Sequence, residues 1–173
     1  VGNLTTITDA LGIVQMRFTY NARNSITSIA NAYQLTQAYV YNDQNQMVQA
    51  KDENGKISRL AYDASGRPNT VTDAVGNSVK FVWGKQGSHL FGLSEIHYPT
   101  FKERYTYDKR YRITGIERYL GEDTLQTVGY RYDKVGNLTE MIDPAGRKNK
   151  KYYDELNRLK SIADPASGLV NLT

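Results

Sequence analysis

Short segments rich in Thr, Val, Ile and Tyr alternate with clusters of polar turn residues along the whole chain. The segments run for about five to seven residues, which is too short for helices and typical of strands. Asp and Asn side chains in the clusters can accept from backbone N–H groups two residues on, and Gly adopts positive φ, so these residues favour turns. The pattern therefore predicts an all-β chain made of β-hairpins.

The hairpin pattern repeats with a period of about 21 residues. We define the anchor of each repeat as the second residue of an aromatic-x-aromatic pair. The seven anchors are Tyr20, Tyr41, Tyr62, Trp83, Tyr107, Tyr132 and Tyr153. Four of the six gaps between successive anchors are 21 residues long, and the other two are 24 and 25 residues long. Further positions recur at four and eleven residues after an anchor: Gly66 and Gly136, then Asp52, Asp73, Asp143 and Asp164. Each repeat is predicted to hold two strands and two turns, and turns are expected at 63–66, 73–76, 133–136 and 143–146.

A single hairpin cannot bury its own apolar face, so the repeats are expected to stack in one extended sheet. Residues two apart in a strand share a face, which places both rings of a Tyr-x-Tyr pair on one side. Tyr62 and Tyr132 are expected to pack against the matching ring or apolar position about 21 residues away. The apolar positions six and nine after the anchor are three apart, so either the strand contains a bulge or both faces are partly covered.

Residues 1–173 are predicted to be one repeat segment of about seven repeats, with the first and last truncated. The spacing is irregular over 81–131, where Trp83 is the anchor and Tyr119–Asp123 replaces the Asp-x-x-Gly turn. Hairpins with longer loops are expected there. The chain starts and stops within a repeat, so we expect a piece of a longer polypeptide whose open ends need partners.

The pattern Tyr-x-Tyr-Asp-x-x-Gly-Arg-Leu, followed by Val/Ile-x-Asp-x-x-Gly, resembles the YD repeat of the RHS family. Its clearest copies are residues 60–68, 130–138 and 153–159. The resemblance implies a β-sheet shell that spirals, as in bacterial toxin-complex proteins, polymorphic toxins and teneurins. It further implies a non-catalytic structural role in a secreted or cell-surface protein. The implied partners are flanking RHS repeats and an enclosed C-terminal toxin segment.

Composition and charge exclude several other classes of protein. The 173 residues contain no Cys, which excludes disulfide scaffolds, thiol nucleophiles and cysteine metal sites. No apolar run approaches the roughly 20 residues of a transmembrane helix. The net charge is +4, and the basic stretches 102–112 and 147–151 spread over two strand faces. We therefore expect solvated surface there and no nucleic-acid partner.

Few residues suggest catalysis or metal binding. Ser88, His89 and Glu95 could be arranged as nucleophile, base and orienting acid, and His89, His97 and Glu95 could form a metal site. The sequence favours ordinary loop and strand roles for all four, and turn capping rather than calcium binding for the repeated Asp residues. We therefore expect no enzyme activity, cofactor or metal. Asn137-Leu-Thr matches a glycosylation sequon but follows from the repeat itself, and Asp164–Leu169 is expected to be a turn.

An alternative function is surface recognition of a glycan or receptor by the Tyr-rich face. Aromatic rings suit sugar stacking when they are exposed in a row. If the Tyr pairs instead pack between neighbouring strands, their role is structural.

Overall fold

A computed structural model describes residues 2–84 and 92–172, and these residues form sixteen strands and no helix. Each strand is hydrogen-bonded to the strand that follows it in the sequence, and neighbouring strands run antiparallel. The predicted all-β fold built from hairpins is therefore confirmed.

The chain divides into two compact units, Val1–Lys80 (unit 1) and Phe81–Thr173 (unit 2). The strands that begin in unit 1 are β1 (Thr6–Thr8), β2 (Val14–Tyr20), β3 (Ile26–Asn31), β4 (Thr36–Tyr41), β5 (Met47–Lys51), β6 (Ile57–Tyr62), β7 (Pro68–Thr72) and β8 (Ser78–Trp83). Those of unit 2 are β9 (Leu93–His97), β10 (Lys102–Tyr107), β11 (Ile113–Leu120), β12 (Asp123–Tyr132), β13 (Leu138–Ile142), β14 (Lys148–Tyr153), β15 (Leu159–Asp164) and β16 (Gly168–Asn171). The last three residues of β8 belong to unit 2.

The seven anchors end the even-numbered strands β2 to β14, and a bulge occurs at the six tyrosine anchors. Tyr62 lies opposite Pro68, whereas Ala61 lies opposite Thr70, so the residue between these two partners is extra. The same register shift occurs at Tyr20, Tyr41, Tyr107, Tyr132 and Tyr153. The bulge explains the spacing of three that simple alternation could not, because it returns positions six and nine after the anchor to the same face.

The four predicted turns are confirmed, and three of them share one geometry. In the turn after β6, the Asp63 carbonyl accepts from Gly66 N–H at 2.9 Å and Asp63 N–H donates to the Arg67 carbonyl at 2.9 Å. Gly66 has a φ of 78°, which an L side chain adopts only with strain. In the turn at 133–136, Gly136 N–H instead donates to the Asp133 side chain at 2.7 Å.

The irregular region 81–131 contains one longer hairpin, whose length comes from its strands and not from its turn. The hairpin of β11 and β12 is long because its strands have eight and ten residues, whereas its turn is only Gly121 and Glu122. Gly121, at a φ of 63°, permits this tight connection. β9 and β10 are also joined closely, by a bond from Tyr98 N–H to the Phe101 carbonyl at 2.8 Å. Residues 85–91 lie outside the described part.

The described residues include no fully buried hydrophobic side chain. Only Ser94 and Ser161 fall into the buried class, at 5% and 7% exposure. Most strand side chains are half-buried against their neighbours on the same face. Cohesion therefore comes from contacts between adjacent strands and turns rather than from a central core.

We expect Gly66→Ala to lower the free energy of unfolding by about 1–2 kcal/mol. The new methyl group would occupy a left-handed conformation and would lie 3.1 Å from Gln46 Nε2, which donates to the Gly66 carbonyl. Gly2→Ala is the matched control, since Gly2 has open space around it and no positive φ. Urea unfolding of both variants tests this expectation, and equal stability of the two would contradict it.

Candidate functional site

The anchor tyrosines tie each repeat to the one before it. The Tyr62 hydroxyl donates to the Met47 carbonyl at 2.8 Å, and Met47 is the first residue of β5, the strand preceding β6. Five other anchors make the equivalent bond at 2.7–3.0 Å: Tyr20 to Leu4, Tyr41 to Ile26, Tyr107 to Leu93, Tyr132 to Ile113 and Tyr153 to Leu138. The acceptors open an odd-numbered strand, except Leu4, which precedes β1. The rings thus lie along the sheet rather than projecting from it, and Trp83 carries an indole N–H in place of the hydroxyl.

Side chains in the turns after the anchors form a second link between repeats. Asn21 Nδ2 donates to Asn45 Oδ1 at 2.9 Å, and Asn45 Nδ2 donates to Ser25 Oγ at 2.7 Å. Asn137 Nδ2 donates to Asn157 Oδ1 at 2.9 Å in unit 2. These contacts span 20–24 residues, one period of the repeat. These contacts were not predicted from the sequence, although Asn or Gly at the fourth position after the anchor was a usable signal.

Arg112 combines a turn contact with a contact to the next repeat. Its guanidinium pairs with Asp108 at 2.6–2.7 Å, stacks 4.4 Å from the centre of the Tyr132 ring and donates to the Asp133 carbonyl at 3.3 Å. The Arg112 side chain lowers the pKa of Asp108, helped by backbone N–H groups of the turn. A planar guanidinium can make all these contacts at once, whereas an ammonium cannot.

Arg112→Lys is expected to lower the free energy of unfolding by about 1–2 kcal/mol, because the paired, stacked and cross-repeat contacts weaken together. Arg158→Lys is the matched control. Arg158 pairs with Asp154 in the same turn position, but its side chain is 74% exposed. We expect the control to cost less than half as much in chemical unfolding. Equal losses would mean that the contacts of Arg112 with the next repeat contribute nothing.

The repeated Asp residues eleven after the anchors sit in the turns at the other ends of the strands. Asp52 Oδ1 accepts from the backbone N–H groups of Asn54 and Lys56 at 2.9 and 2.8 Å. Asp73 and Asp143 accept from the second and fourth residues after them in the same way. Asp164 accepts from Ala166 and Ser167 and closes the turn into β16. These carboxylates hold turns and point their lone pairs at the backbone.

The structure brings Glu95 and His97 together with Arg104 in one polar cluster. His97 Nε2 lies 2.7 Å from Glu95 Oε2, and Arg104 Nε donates to Glu95 Oε1 at 3.2 Å. Burial raises the pKa of Glu95, but hydrogen bonds from His97 and Arg104 outweigh it and leave that pKa lowered. Ser88 and His89 lie outside the described part of the chain. Among residues 2–84 and 92–172, no group of three His, Asp or Glu side chains could hold a metal ion.

A second ion pair lies on the other face of β10 and β11. Glu103 accepts from the Tyr105 hydroxyl at 2.7 Å and from Arg118 at 2.8 Å. Burial and the Glu103 carboxylate raise the pKa of the Tyr105 hydroxyl, so this hydroxyl stays protonated and donates. Within the basic stretch 102–112, Arg104 and Arg112 pair with carboxylates.

The sequon at Asn137 is occupied by structural contacts. Asn137 Nδ2 donates to Asp133 Oδ2 as well as to Asn157 Oδ1, both at 2.9 Å. The amide thus helps to hold its own turn and the neighbouring one. No helix in the described ranges is long and apolar enough to cross a membrane.

Comparison with known proteins identifies the repeat. The sequence profile of the RHS Repeat family matches residues 41–78, which include the anchors Tyr41 and Tyr62. Residues 41–78 form an RHS repeat. Toxin protein Tse5 of Pseudomonas aeruginosa is 27% identical over 81% of this chain, which corresponds to 12% of that protein. The chain thus spans about an eighth of this curated relative.

Solved structures with the same fold come from toxin complexes. TcdB2-TccC3 without its hypervariable C-terminal region superposes with a TM-score of 0.72 at 20% identity, covering 86% of this chain and 9% of that one. The Tc holotoxin pore of Photorhabdus luminescens superposes with a TM-score of 0.70 at 15% identity, covering 90% of this chain and 9% of that one. These likenesses establish an RHS-type β-sheet fold.

Proposed function

We propose that this RHS chain is a non-catalytic wall segment of a shell that encloses a C-terminal toxin or effector in a secreted or cell-surface bacterial protein. The observation that carries the proposal is the set of six anchor hydroxyls, each bonded to a carbonyl of the preceding repeat. Such bonds join any number of repeats into one continuous sheet without a central core. The partners on this view are flanking RHS repeats and the enclosed segment. The toxin names of the relatives support the proposal.

Protection of the C-terminal region tests this function. The test uses the longest natural polypeptide that carries this sequence and measures protease cleavage of its C-terminal segment. We expect strong protection in the natural protein and rapid cleavage after Tyr62→Ala with Tyr132→Ala. Tyr33→Ala is the control, because Tyr33 is a turn residue with 86% exposure. Equal cleavage of the natural protein and of the separately expressed C-terminal segment would overturn the proposal.

Recognition of a glycan or receptor by the Tyr-rich face remains a second proposal with less support. The six anchor tyrosines are half-buried and bonded to the backbone, so they do not form an exposed row. One open depression of about 530 Å³ in unit 1 is lined by Gln37, Tyr39, Asp52 and Asp73 among others. It offers a single ring, whose hydroxyl already donates to Gln37 at 2.8 Å. Binding of the chain to a glycan array, lost in Tyr39→Ala, would favour this function.

A further inference from the structure

Every charged side chain in the strands of unit 1 is a cation. The four residues are Arg17 on β2, Lys51 on β5, Arg59 on β6 and Lys80 on β8. All six acidic residues of unit 1 lie in turns instead: Asp9, Asp43, Asp52, Glu53, Asp63 and Asp73. Within residues 2–80, the strands therefore carry no acidic side chain, whereas the turns carry charges of both signs.

The four cations share one face of the sheet, which we call the cationic face. Arg59 lies opposite Gln49 on β5 and Thr72 on β7. Lys51 is two residues after Gln49, and Lys80 lies opposite Thr70, two residues before Thr72. Residues two apart in a strand share a side, so Lys51, Arg59 and Lys80 point the same way.

Arg17 joins the same face through the strands before β5. It is two residues before Thr19, which lies opposite Ser28 on β3. Ser28 lies opposite Ala38 on β4, and Ala38 lies opposite Lys51. The uncharged neighbours on this face include the apolar Val40 and Ile57, and most of the others are small or polar, with several hydroxyls that can donate a hydrogen bond.

All four cations are exposed, and none forms an ion pair with the described residues. In unit 2 the strands also carry acidic residues, and Arg104, Arg118 and Arg131 pair with glutamates at 2.8–3.2 Å, whereas Lys148, Lys150 and Lys160 form no ion pair with the described residues. Arg59 and Lys80 are two strands apart, about 10 Å across the sheet. The face thus offers unneutralised positive charge at a spacing that an extended acidic chain can follow.

We propose that the cationic face of unit 1 binds an acidic polypeptide segment. Charge complementarity and the donor hydroxyls favour carboxylates as ligands. The five rings in the strands of unit 1 alternate onto the opposite face: Phe18, Tyr20, Tyr39, Tyr41 and Tyr62. The cationic face therefore lacks the stacking rings that grip single-stranded nucleic acid and the aromatic side chains that insert into membranes. The inference stands independently of the shell function.

Binding of a fluorescent polyglutamate peptide to the 173-residue chain tests the proposal by anisotropy. We expect binding at low ionic strength that weakens as salt is added. Arg59→Gln with Lys80→Gln should weaken it about 3- to 10-fold, since each exposed ion pair contributes modestly. Lys109→Gln with Lys134→Gln is the matched control: it removes the same charge from exposed turns of unit 2 and should leave the affinity within about 2-fold.

Three outcomes would overturn the proposal. The first is no binding of polyglutamate at low salt, and the second is an equal loss in the two double variants, which would mean attraction by net charge alone. The third is tighter binding of single-stranded oligothymidine or of phosphatidylserine vesicles than of polyglutamate. Circular dichroism of each variant verifies the fold, which substitution of exposed, unpaired side chains should leave intact.

Discussion

Tyr62→Ala should lower the free energy of unfolding by about 2–4 kcal/mol. The substitution removes a half-buried ring and leaves the Met47 carbonyl without its hydroxyl donor, which lies at 2.8 Å. The lower part of the range for large aromatics applies because the sheet has no covering layer. Urea unfolding followed by circular dichroism measures the loss.

Two further variants separate the causes of the Tyr62 effect. Tyr62→Phe keeps the ring but loses the hydroxyl, so it should cost about 1 kcal/mol. Tyr33→Ala removes a ring that is 86% exposed and should change stability by less than about 0.5 kcal/mol. A loss below about 0.5 kcal/mol for Tyr62→Ala would show that the anchors are surface features, and the wall function would lose its main support.

Acid is expected to unfold the chain through its turn carboxylates. The pKa values of eight Asp residues are lowered in the folded chain: Asp9, Asp63, Asp73, Asp108, Asp133, Asp143, Asp154 and Asp164. For Asp63, the backbone N–H of Arg67 is the main cause, followed by the Arg67 side chain. Because the unfolded state binds more protons at low pH, these groups stabilise the fold above the unfolded pKa of about 3.9. That stability is lost as the pH falls through the lower, folded pKa values.

The melting temperature should therefore stay nearly constant from about pH 7 to 5 and fall steeply below about pH 4. Differential scanning calorimetry measures it. Asp63→Asn with Asp154→Asn is the informative variant, since it removes two of the groups that titrate and should flatten the acid limb. A melting temperature that rises or stays level between about pH 5 and 3 would contradict the expectation.

The sequence predicted the strands and turns well because they depend on local chemistry. The spacing of Tyr41 and Tyr62 located strand ends, and Asp63 with Gly66 located a turn, since these residues act within a few positions of themselves. The bulge at each anchor could not be predicted, because a spacing of three between apolar positions fits either a bulge or a strand that is partly covered on both faces. The strand lengths in the hairpin of β11 and β12 could not be predicted, because the missing Asp-x-x-Gly signal gave no measure of how far the strands continue.

The contacts between repeats were only partly predictable. A hydroxyl on Tyr62 predicts some donor contact, but its acceptor is a main-chain carbonyl, which every residue has. The left-handed backbone conformation of Tyr111, with a φ of 62°, could not be predicted either, since Gly or Asn usually occupies that position. The cationic face could not be predicted from the sequence. The registers of seven strands, with their bulges, are needed to show that the four cations lie on the same side of the sheet.

Pairing of strands in chain order has a consequence for how the chain acquires its structure. All-β proteins usually fold slowly because their strands pair across long stretches of sequence. Here each strand needs only the one before it, so the loops to be closed stay short. A hairpin can form soon after it leaves the ribosome and serve as the template for the next, at a pace set by translation. Growth by successive addition leaves few opportunities for a strand to choose a wrong neighbour, even where repeats share nearly the same sequence.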